Sequence, residues 1–218
     1  MLRLDLHVHT RFSKDSSAPI PSVVERCQKA GLGVVAITDH SNILGALEVR
    51  SVAPFPVIVG EEIKSTAGDI IGLFLREEVP EGLSALETVH RVKEQGGLVV
   101  APHPFCRLRS TALGLRALED ILPFVDLIEG YNSHTVLPGD NARGVAFAEK
   151  HSLPMVACSD AHSALELGST FTEVPEGEFD GTPEGLVRAV KAGRMVGKRP
   201  NPLLLLAPVY ARLRKVLA

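Results

Sequence analysis

Histidine and carboxylate side chains recur at the ends of short apolar runs along this 218-residue chain. His7 and His9 end the first run, His103 follows the fifth, and Asp160 and His162 follow the seventh. In parallel α/β folds the carboxyl ends of the strands meet at one edge of the sheet, where ligands bind. Unrelated core histidines would not be expected to follow this order. The pattern therefore predicts that the functional side chains gather at one end of a sheet.

Helix-like segments separate several of the apolar runs, and this alternation predicts an α/β fold with a mainly parallel sheet. The predicted strands cover residues 4–9, 34–38, 56–59, 70–75, 98–101, 127–131, 154–158 and 170–174. The predicted helices cover residues 23–30, 83–95, 141–151 and 183–192, the last with Thr182 as its N-cap. We find no repeat, low-complexity run or linker, so a single domain is expected.

The composition excludes several other classes of protein. Hydrophobic residues make up 45% of the chain, which is enough for one sizeable core. Three cysteines without a CxxC spacing argue against a disulfide framework or a thiolate zinc site, and they favour a cytoplasmic setting. We expect neither a signal peptide nor a transmembrane segment, because no suitable apolar stretch is present.

The candidate ligands combine imidazole and carboxylate groups, which suit Zn, Mn or Fe at hydrolytic centres. His7 and His9 are two residues apart and would share one face of a strand, although alone they are also compatible with core or surface histidines. Eight ligands are too many for one ion with an open position, but they suit two or three. Two ions about 3.5–4 Å apart promote displacement at phosphorus. The set comprises His7, His9, Asp15, His40, Glu62, His103, Asp160 and His162.

Six segments resemble, in order, the successive motifs of the PHP (polymerase and histidinol phosphatase) superfamily. They are DLHVHT (5–10) with Ser13 and Asp15, ITDH (37–40), GEE (60–62), APHPF (101–105), IEGYN (128–132) and CSDAH (158–162). The resemblance implies a distorted TIM-like (β/α)7 barrel with a trinuclear metal site at the carboxyl ends of its strands. We expect a barrel domain over residues 1–200, followed by a C-terminal segment over residues 201–218.

The resemblance also distributes the ligands among three ions. The groups are His7, His9, Glu62 and Asp160 for the first metal, Glu62 and His103 for the second, and Asp15, His40 and His162 for the third. Glu62 is expected to bridge two ions, whereas Glu61 would face away from it on a strand. Asp69 stands near a position where family members often have a further histidine. It is interpreted either as an oxygen ligand or as a cap of the turn beside Gly68.

The function implied by the resemblance is that of a metal-dependent phosphoesterase. Two or three Zn, Mn or Fe ions would provide a metal-bridging hydroxide, with Glu62 and Asp160 as catalytic residues, and the substrate would be a phosphate ester of a small metabolite or nucleotide. Either Asp160 or a metal-bound water would protonate the leaving oxygen. Arg107 is the first candidate for binding the substrate phosphate because it closely follows His103. The other basic candidates are Arg11, Lys14, Lys64 and Arg109.

Two alternative functions remain open. A nuclease acting on short oligonucleotides or nucleic-acid ends would use the same centre, but the acidic body and the absence of tryptophan make nucleic acid the less favoured partner. A non-catalytic module could retain the metals for stability alone. The sequence makes no prediction about the oligomeric state.

The C-terminal segment is strongly basic. Seven basic residues and no acidic residue lie between position 191 and the end. Residues 201–218 are predicted to form a basic amphipathic helix that packs on the barrel or extends from it. Its apolar face would comprise residues 203–206 with Val209, Leu213, Val216 and Leu217. Dimerisation or contact with a membrane surface are the alternatives to packing.

Overall fold

Short runs of aliphatic and β-branched residues form nine strands within residues 1–137, 139–198 and 204–217, which are the parts of the chain described by this computed structural model. The strands are β1 (Leu2–Val8), β2 (Val34–Ile37), β3 (Val57–Ser65), β4 (Gly68–Leu73), β5 (Leu98–Ala101), β6 (Val125–Asn132), β7 (Met155–Cys158), β8 (Phe171–Val174) and β9 (Arg194–Val196). They form one sheet in the order β7-β6-β5-β4-β3-β2-β1-β8-β9.

The sheet curves until its two sides approach each other. Val8 and Ala161 form a parallel bridge beyond β7, and the backbone N–H of His9 donates to the carbonyl of Ala161 at 2.9 Å. The backbone N–H of Ala157 in β7 donates to Oγ1 of Thr172 in β8, also at 2.9 Å. These contacts give a nearly closed barrel, so the prediction of an α/β fold with a distorted TIM-like barrel is confirmed.

The prediction of a mainly parallel sheet is wrong, since half of the strand pairs are antiparallel. The pairs β1–β2, β2–β3, β5–β6 and β6–β7 are parallel, while β3–β4, β4–β5, β1–β8 and β8–β9 are antiparallel. The segments predicted at 56–59 and 70–75 belong to one hairpin. Only Thr66 and Ala67 separate β3 from β4, and a connection this short permits only an antiparallel pair.

Helices connect most of the strands, and one follows the last strand. They are α1 (Ile20–Ala30), α2 (Leu44–Val52), α3 (Ala85–Glu94), α4 (Gly114–Ile121), α5 (Asp140–His151), α6 (Pro183–Lys191) and α7 (Ala207–Leu217). Oγ1 of Thr182 accepts from the N–H of Gly185 at 3.0 Å, which confirms Thr182 as the N-cap of α6. The sequence did not predict α2, α4 or β9.

The core has two parts, one on each face of the sheet. The outer part packs the sheet against α1–α5 through residues such as Val23, Val49 and Val89. The inner part combines side chains of β1 to β8 with Leu186 and Val190 of α6. This two-sided burial holds the strand ends in fixed positions, and the candidate site lies there.

The predicted apolar face of the C-terminal segment is described only in part. Leu205 is partly buried and Leu206, Val209 and Leu213 are exposed, while Leu203 and the side chains of Leu204, Val216 and Leu217 lie outside the described residues. The division of the chain at residue 200 stays a prediction. Within the part of the chain that the structure describes, none of the helices combines the length and apolar character that a membrane crossing requires.

Candidate metal centre

The first two candidate ligands, His7 and His9, lie at the carboxyl end of β1 with both rings buried. The pairing of β1 with β2 shifts register between Asp5 and Val8. Irregularities of this kind re-aim the side chains of a strand. The Nε2 atoms of His7 and His9 are 3.0 Å apart, so two imidazole nitrogens face the same small volume.

Carboxylate oxygens from two other strand ends reach this volume. Oε2 of Glu62 lies 3.3 Å from Nε2 of both His7 and His9. Oδ1 of Asp160 lies 3.4 Å from Nε2 of His7 and 3.3 Å from Nε2 of His9. Four ligands at usual zinc–nitrogen and zinc–oxygen lengths form a tetrahedron with edges of about 3.3–3.4 Å. The four measured nitrogen–oxygen spacings match those edges, and His7, His9 and Asp160 form one group that could hold a divalent ion.

In three of the candidate histidines, the ring nitrogen that points away from the cluster has a hydrogen-bond partner of its own. Nδ1–H of His7 donates to Oε1 of Glu129 at 2.7 Å, and Nδ1–H of His9 donates to Oγ of Ser13 at 2.9 Å. Nδ1–H of His162 donates to a backbone carbonyl two residues earlier at 2.8 Å. Metal-binding histidines are commonly oriented in this way, because the outer hydrogen bond fixes the tautomer and leaves Nε2 as the ligand.

The remaining predicted ligands form two adjoining groups. Oε1 of Glu62 lies 3.0 Å from Nε2 of His103, so the two oxygens of Glu62 point to different groups. Asp15 places Oδ2 3.3 Å from Nε2 of His40 and Oδ1 3.5 Å from Nε2 of His162. The structure thus brings all eight predicted ligands together. The groups whose ligand atoms lie within 4.8 Å of one another are His9, Asp15, His40 and His162; His7, Glu62 and His103; and His7, His9 and Asp160.

The buried polar atoms of the cluster also fit metal ions. Among the described residues, Oδ1 of Asp15, Oε2 of Glu62, Oδ1 of Asp160 and Nδ1 of His103 are buried without a hydrogen-bond partner. A buried carboxylate oxygen without a partner is costly, and a cation removes that cost. Nitrogen and oxygen donors without thiolates match the preferences of Zn, Mn and Fe. The residues therefore fit more than one divalent ion.

The cluster shifts the pKa values of acids and imidazoles in opposite directions. Burial opposes ionisation of Asp160, but Arg109 and then nearby imidazoles outweigh burial and hold its pKa well below the usual range. Burial also opposes the charged form of His9, but the neighbouring carboxylates of Asp160 and Glu62 outweigh burial and raise its pKa to about 9. Burial and the neighbouring His9 lower the pKa of His162 to about 4. Ionised carboxylates therefore lie beside imidazoles in unlike protonation states.

Two of the candidate ligands have unusual backbone conformations. Asp160 has φ of +53° and His103 has φ of +29°. Positive φ is uncommon for residues other than glycine, and it concentrates at functional sites where the surrounding structure enforces it. The backbone strain therefore coincides with the ligand cluster.

Glu61 and Asp69, the two acidic residues considered beside the eight main candidate ligands, lie in different surroundings. Glu61 points away from Glu62, as strand alternation predicts, and its Oε2 accepts from the N–H of Val79 at 2.8 Å. Asp69 is buried beside the cluster and lines the same cavity as Asp15. Among the described residues, however, Asp69 belongs to none of the three ligand groups. Its ligand role stays a prediction.

The two candidate arginines near His103 have different partners. Nε of Arg107 lies 2.6 Å from Oδ1 of Asp140, and the Arg107 side chain is 56% exposed. A guanidinium nitrogen of Arg109 contacts Oδ2 of Asp160, and its side chain is only 22% exposed. The structure therefore brings Arg109 to the ligand cluster and ties Arg107 to Asp140. The phosphate-binding role of Arg107 stays a prediction.

Sequence reasoning did not assign a role to Glu129 or Asn132. Oε2 of Glu129 accepts from the backbone N–H of His103 at 2.7 Å and from Nδ2 of Asn132 at 2.8 Å. Nδ2 of Asn132 also donates to Oδ2 of Asp160 at 3.1 Å. These two residues connect three ligands behind the metal-facing atoms. Their position at the end of β6, where other ligands follow their own strands, is the sequence feature that indicates this role.

Comparison with known proteins agrees with this arrangement. Residues 5–96 match the model of the PHP domain, and residues 138–195 match the model of the PHP-associated region. An uncharacterised protein of Methanocaldococcus jannaschii is 39% identical over 144 residues, covering 60% of this chain and 84% of that protein. The chain belongs to the PHP family. A second M. jannaschii protein is 37% identical over 178 residues, covering 80% of this PHP protein and 71% of the relative.

Solved structures share the fold of this PHP protein at low sequence identity. A two-domain protein of Bacteroides vulgatus containing a predicted PHP-like metal-dependent phosphoesterase has a TM-score of 0.74 at 20% identity, covering 97% of this chain and 69% of that one. PsfC of Pseudomonas syringae has a TM-score of 0.72 at 18% identity, and the match covers 99% of this chain and 100% of PsfC. A third structure is endonuclease Q in complex with a 27-mer duplex that has an abasic lesion at the active site. Its TM-score is 0.64 at 20% identity, and the match covers 91% of this chain and 60% of endonuclease Q.

Proposed function

We propose that this PHP protein is a metal-dependent phosphoesterase that hydrolyses a phosphate ester of a small metabolite or nucleotide. The main support is that His7, His9 and Asp160 form a group that could hold one divalent ion, with Oε2 of Glu62 3.3 Å from Nε2 of both histidines and two further ligand groups alongside. Two or three Zn, Mn or Fe ions held there would supply a nucleophile from water near neutral pH and positive charge against the phosphoryl oxygens.

The protein's own side chains have distinct roles in this proposal. Glu62 joins the groups, because its two oxygens lie beside different histidines. Asp160 directs Oδ1 to the histidines and Oδ2 to Arg109. Arg109 has further N–H donors, and a guanidinium suits the paired oxygens of a phosphate. We therefore assign Glu62 and Asp160 to the reacting centre and Arg109 to substrate phosphate.

The proposal is tested by a phosphate-release screen with Mn, Zn, Fe or Mg. The substrates are sugar phosphates, nucleotides and short oligonucleotides. His9→Ala and Asp160→Ala should each lower the best activity by about a thousandfold or more, since each removes a ligand of the nucleophile-generating ion. His90→Ala is the matched control, because His90 is exposed on α3. Full activity in either ligand variant, with an unchanged melting temperature, would refute the site.

The nuclease alternative has one specific observation in its favour, which is the shared fold with endonuclease Q. That likeness concerns the fold alone. A duplex oligonucleotide with an abasic site, incubated with the metal-loaded protein, separates the two functions. Cleavage of that duplex at a rate above release from every small ester would favour the nuclease. If no phosphate ester is cleaved but chelation lowers the melting temperature, the non-catalytic module is favoured. The cytoplasmic setting stays a prediction.

A further inference from the structure

The C-terminal helix α7 contacts the candidate metal centre directly. Nη2 of Arg212 lies 2.6 Å from Oδ2 of Asp15. Nζ of Lys215 donates to the backbone carbonyl of Arg11 at 2.8 Å and also contacts the carbonyl of Ser13. Ala211, next to Arg212 in the chain, is buried. The cationic side of α7 therefore faces the loop that follows β1.

A cavity of about 400 Å³ lies between α7 and the ligand cluster. This size lies in the range of roughly 300–1,000 Å³ that is typical of small-molecule sites. Its barrel side includes the ligands Asp15, His40 and His162. The cavity thus opens on the cluster, and residues of the C-terminal segment form part of its wall.

Besides the ligands and the polar residues Asp69, Ser110 and Thr111, the cavity lining has a cationic and an apolar set of side chains. The cationic side chains are Lys14, Lys64, Arg109 and Arg212, and the apolar ones include Leu108, Leu205, Pro208 and Val209. Arg212 is 59% exposed, so its contact with Asp15 leaves further N–H donors available. A phosphate monoester presents a dianionic group to the cations and its organic part to the apolar wall.

We propose that α7 completes the substrate pocket and selects phosphate monoesters with a compact, apolar organic part. Arg212 contacts the substrate phosphate, and Leu205, Pro208 and Val209 contact the organic part. This inference rests on the proposed phosphoesterase function and specifies its substrate class.

The role of Arg212 is tested with the full-length, metal-loaded protein. Arg212→Gln should raise the KM for phenyl phosphate and the dissociation constant of inorganic phosphate by about tenfold or more, because one charge-assisted hydrogen bond is lost. The kcat should change less than about threefold, and the bound metal per protein should be unchanged. Arg214→Gln is the matched control, since Arg214 is exposed and points about 200° away around the same helix.

Two results would overturn the role of Arg212. The first is phosphate affinity in Arg212→Gln equal to that in Arg214→Gln. The second is loss of bound metal in Arg212→Gln, which would make Arg212 a support for Asp15 rather than a contact of substrate. Calorimetric titration with inorganic phosphate requires no turnover. It therefore tests this inference even if phosphate release fails for every ester and the proposed function is refuted.

The apolar wall is tested by substrate preference. Val209→Asp places a carboxylate where the organic part should bind, so the kcat/KM ratio of phenyl phosphate over glycerol phosphate should fall about tenfold. Leu213→Asp adds the same charge to the same helix at an exposed residue outside the cavity lining, and it should leave the ratio unchanged. An equal ratio in both variants and the wild type would overturn the proposed selectivity.

Discussion

Nδ1–H of His7 donates to Oε1 of Glu129 at 2.7 Å, on the side of the ring opposite the nitrogen that faces His9. This bond holds His7 in the tautomer that leaves Nε2 free for a metal ion. Glu129→Gln should weaken metal binding by about 10–100-fold, because the amide is a poorer acceptor and can present its donor to His7. The dissociation constant for Zn²⁺ checks this, with the exposed Glu119→Gln as control. Unchanged affinity would contradict the orienting role.

Adjacent glutamates on β3 provide a second, matched test. Glu62 faces the histidines, whereas Glu61 accepts a hydrogen bond from the backbone of Val79. Glu62→Gln should abolish phosphate release and lower the number of ions bound, because an amide is a poor bridge between cations. Glu61→Gln retains an acceptor for Val79 and should keep most of the activity. Elemental analysis and phosphate release measure both effects, and equal losses in the two variants would contradict the assigned directions.

The pKa values of the cluster predict that metal binding displaces protons. The pKa of His9 is raised to about 9, so His9 is protonated at pH 7 and must lose its proton to become a ligand. The apparent affinity of the chelator-treated protein for Zn²⁺ should therefore rise with pH up to about 9. Calorimetry in buffers of different ionisation enthalpy measures the number of protons released.

A histidine in the same cluster serves as the comparison. The pKa of His162 is lowered to about 4, so this ring is already neutral at pH 7. His9→Gln should lower the proton release by about one, while His162→Gln should leave it nearly unchanged. A pH-independent affinity between 6 and 9 would contradict the predicted protonation of His9.

The sequence predicts the ligands better than it predicts the residues that orient them. His103 and Asp160 follow strand ends, and the order of the strand ends is visible as alternating apolar runs. The hydrogen bond from His7 to Glu129 depends instead on local irregularity, because the pairing of β6 with β7 shifts register just after Glu129. Whether Arg107 or Arg109 reaches the cluster depends on the loop after β5, whose turns the sequence does not specify.

There is also a physical reason why the sequence does not predict helix α2. Its N-cap residue, Ile43, has no side chain that can accept a hydrogen bond, and Leu44, Leu47 and Val52 are exposed. The apolar period that predicts a surface helix is therefore weakened. The position of α2 is held by close packing at Gly45, next to Asp39, which a single sequence does not reveal.

The close packing at Gly45 predicts that a larger residue there disturbs the site. A Cβ atom at Gly45 would lie 1.9 Å from Oδ2 of Asp39 and 2.5 Å from Oγ1 of Thr10. Oδ1 of Asp39 accepts from Oγ of Ser13 at 2.7 Å, and Ser13 in turn orients His9. Gly45→Ala should therefore displace Asp39, lower the free energy of unfolding by about 1–3 kcal/mol and weaken metal binding. Val52→Ala, at an exposed position of the same helix, should do neither. Chemical denaturation and Zn²⁺ titration measure both quantities. Destabilisation with unchanged metal affinity would show that Asp39 supports the fold without orienting His9.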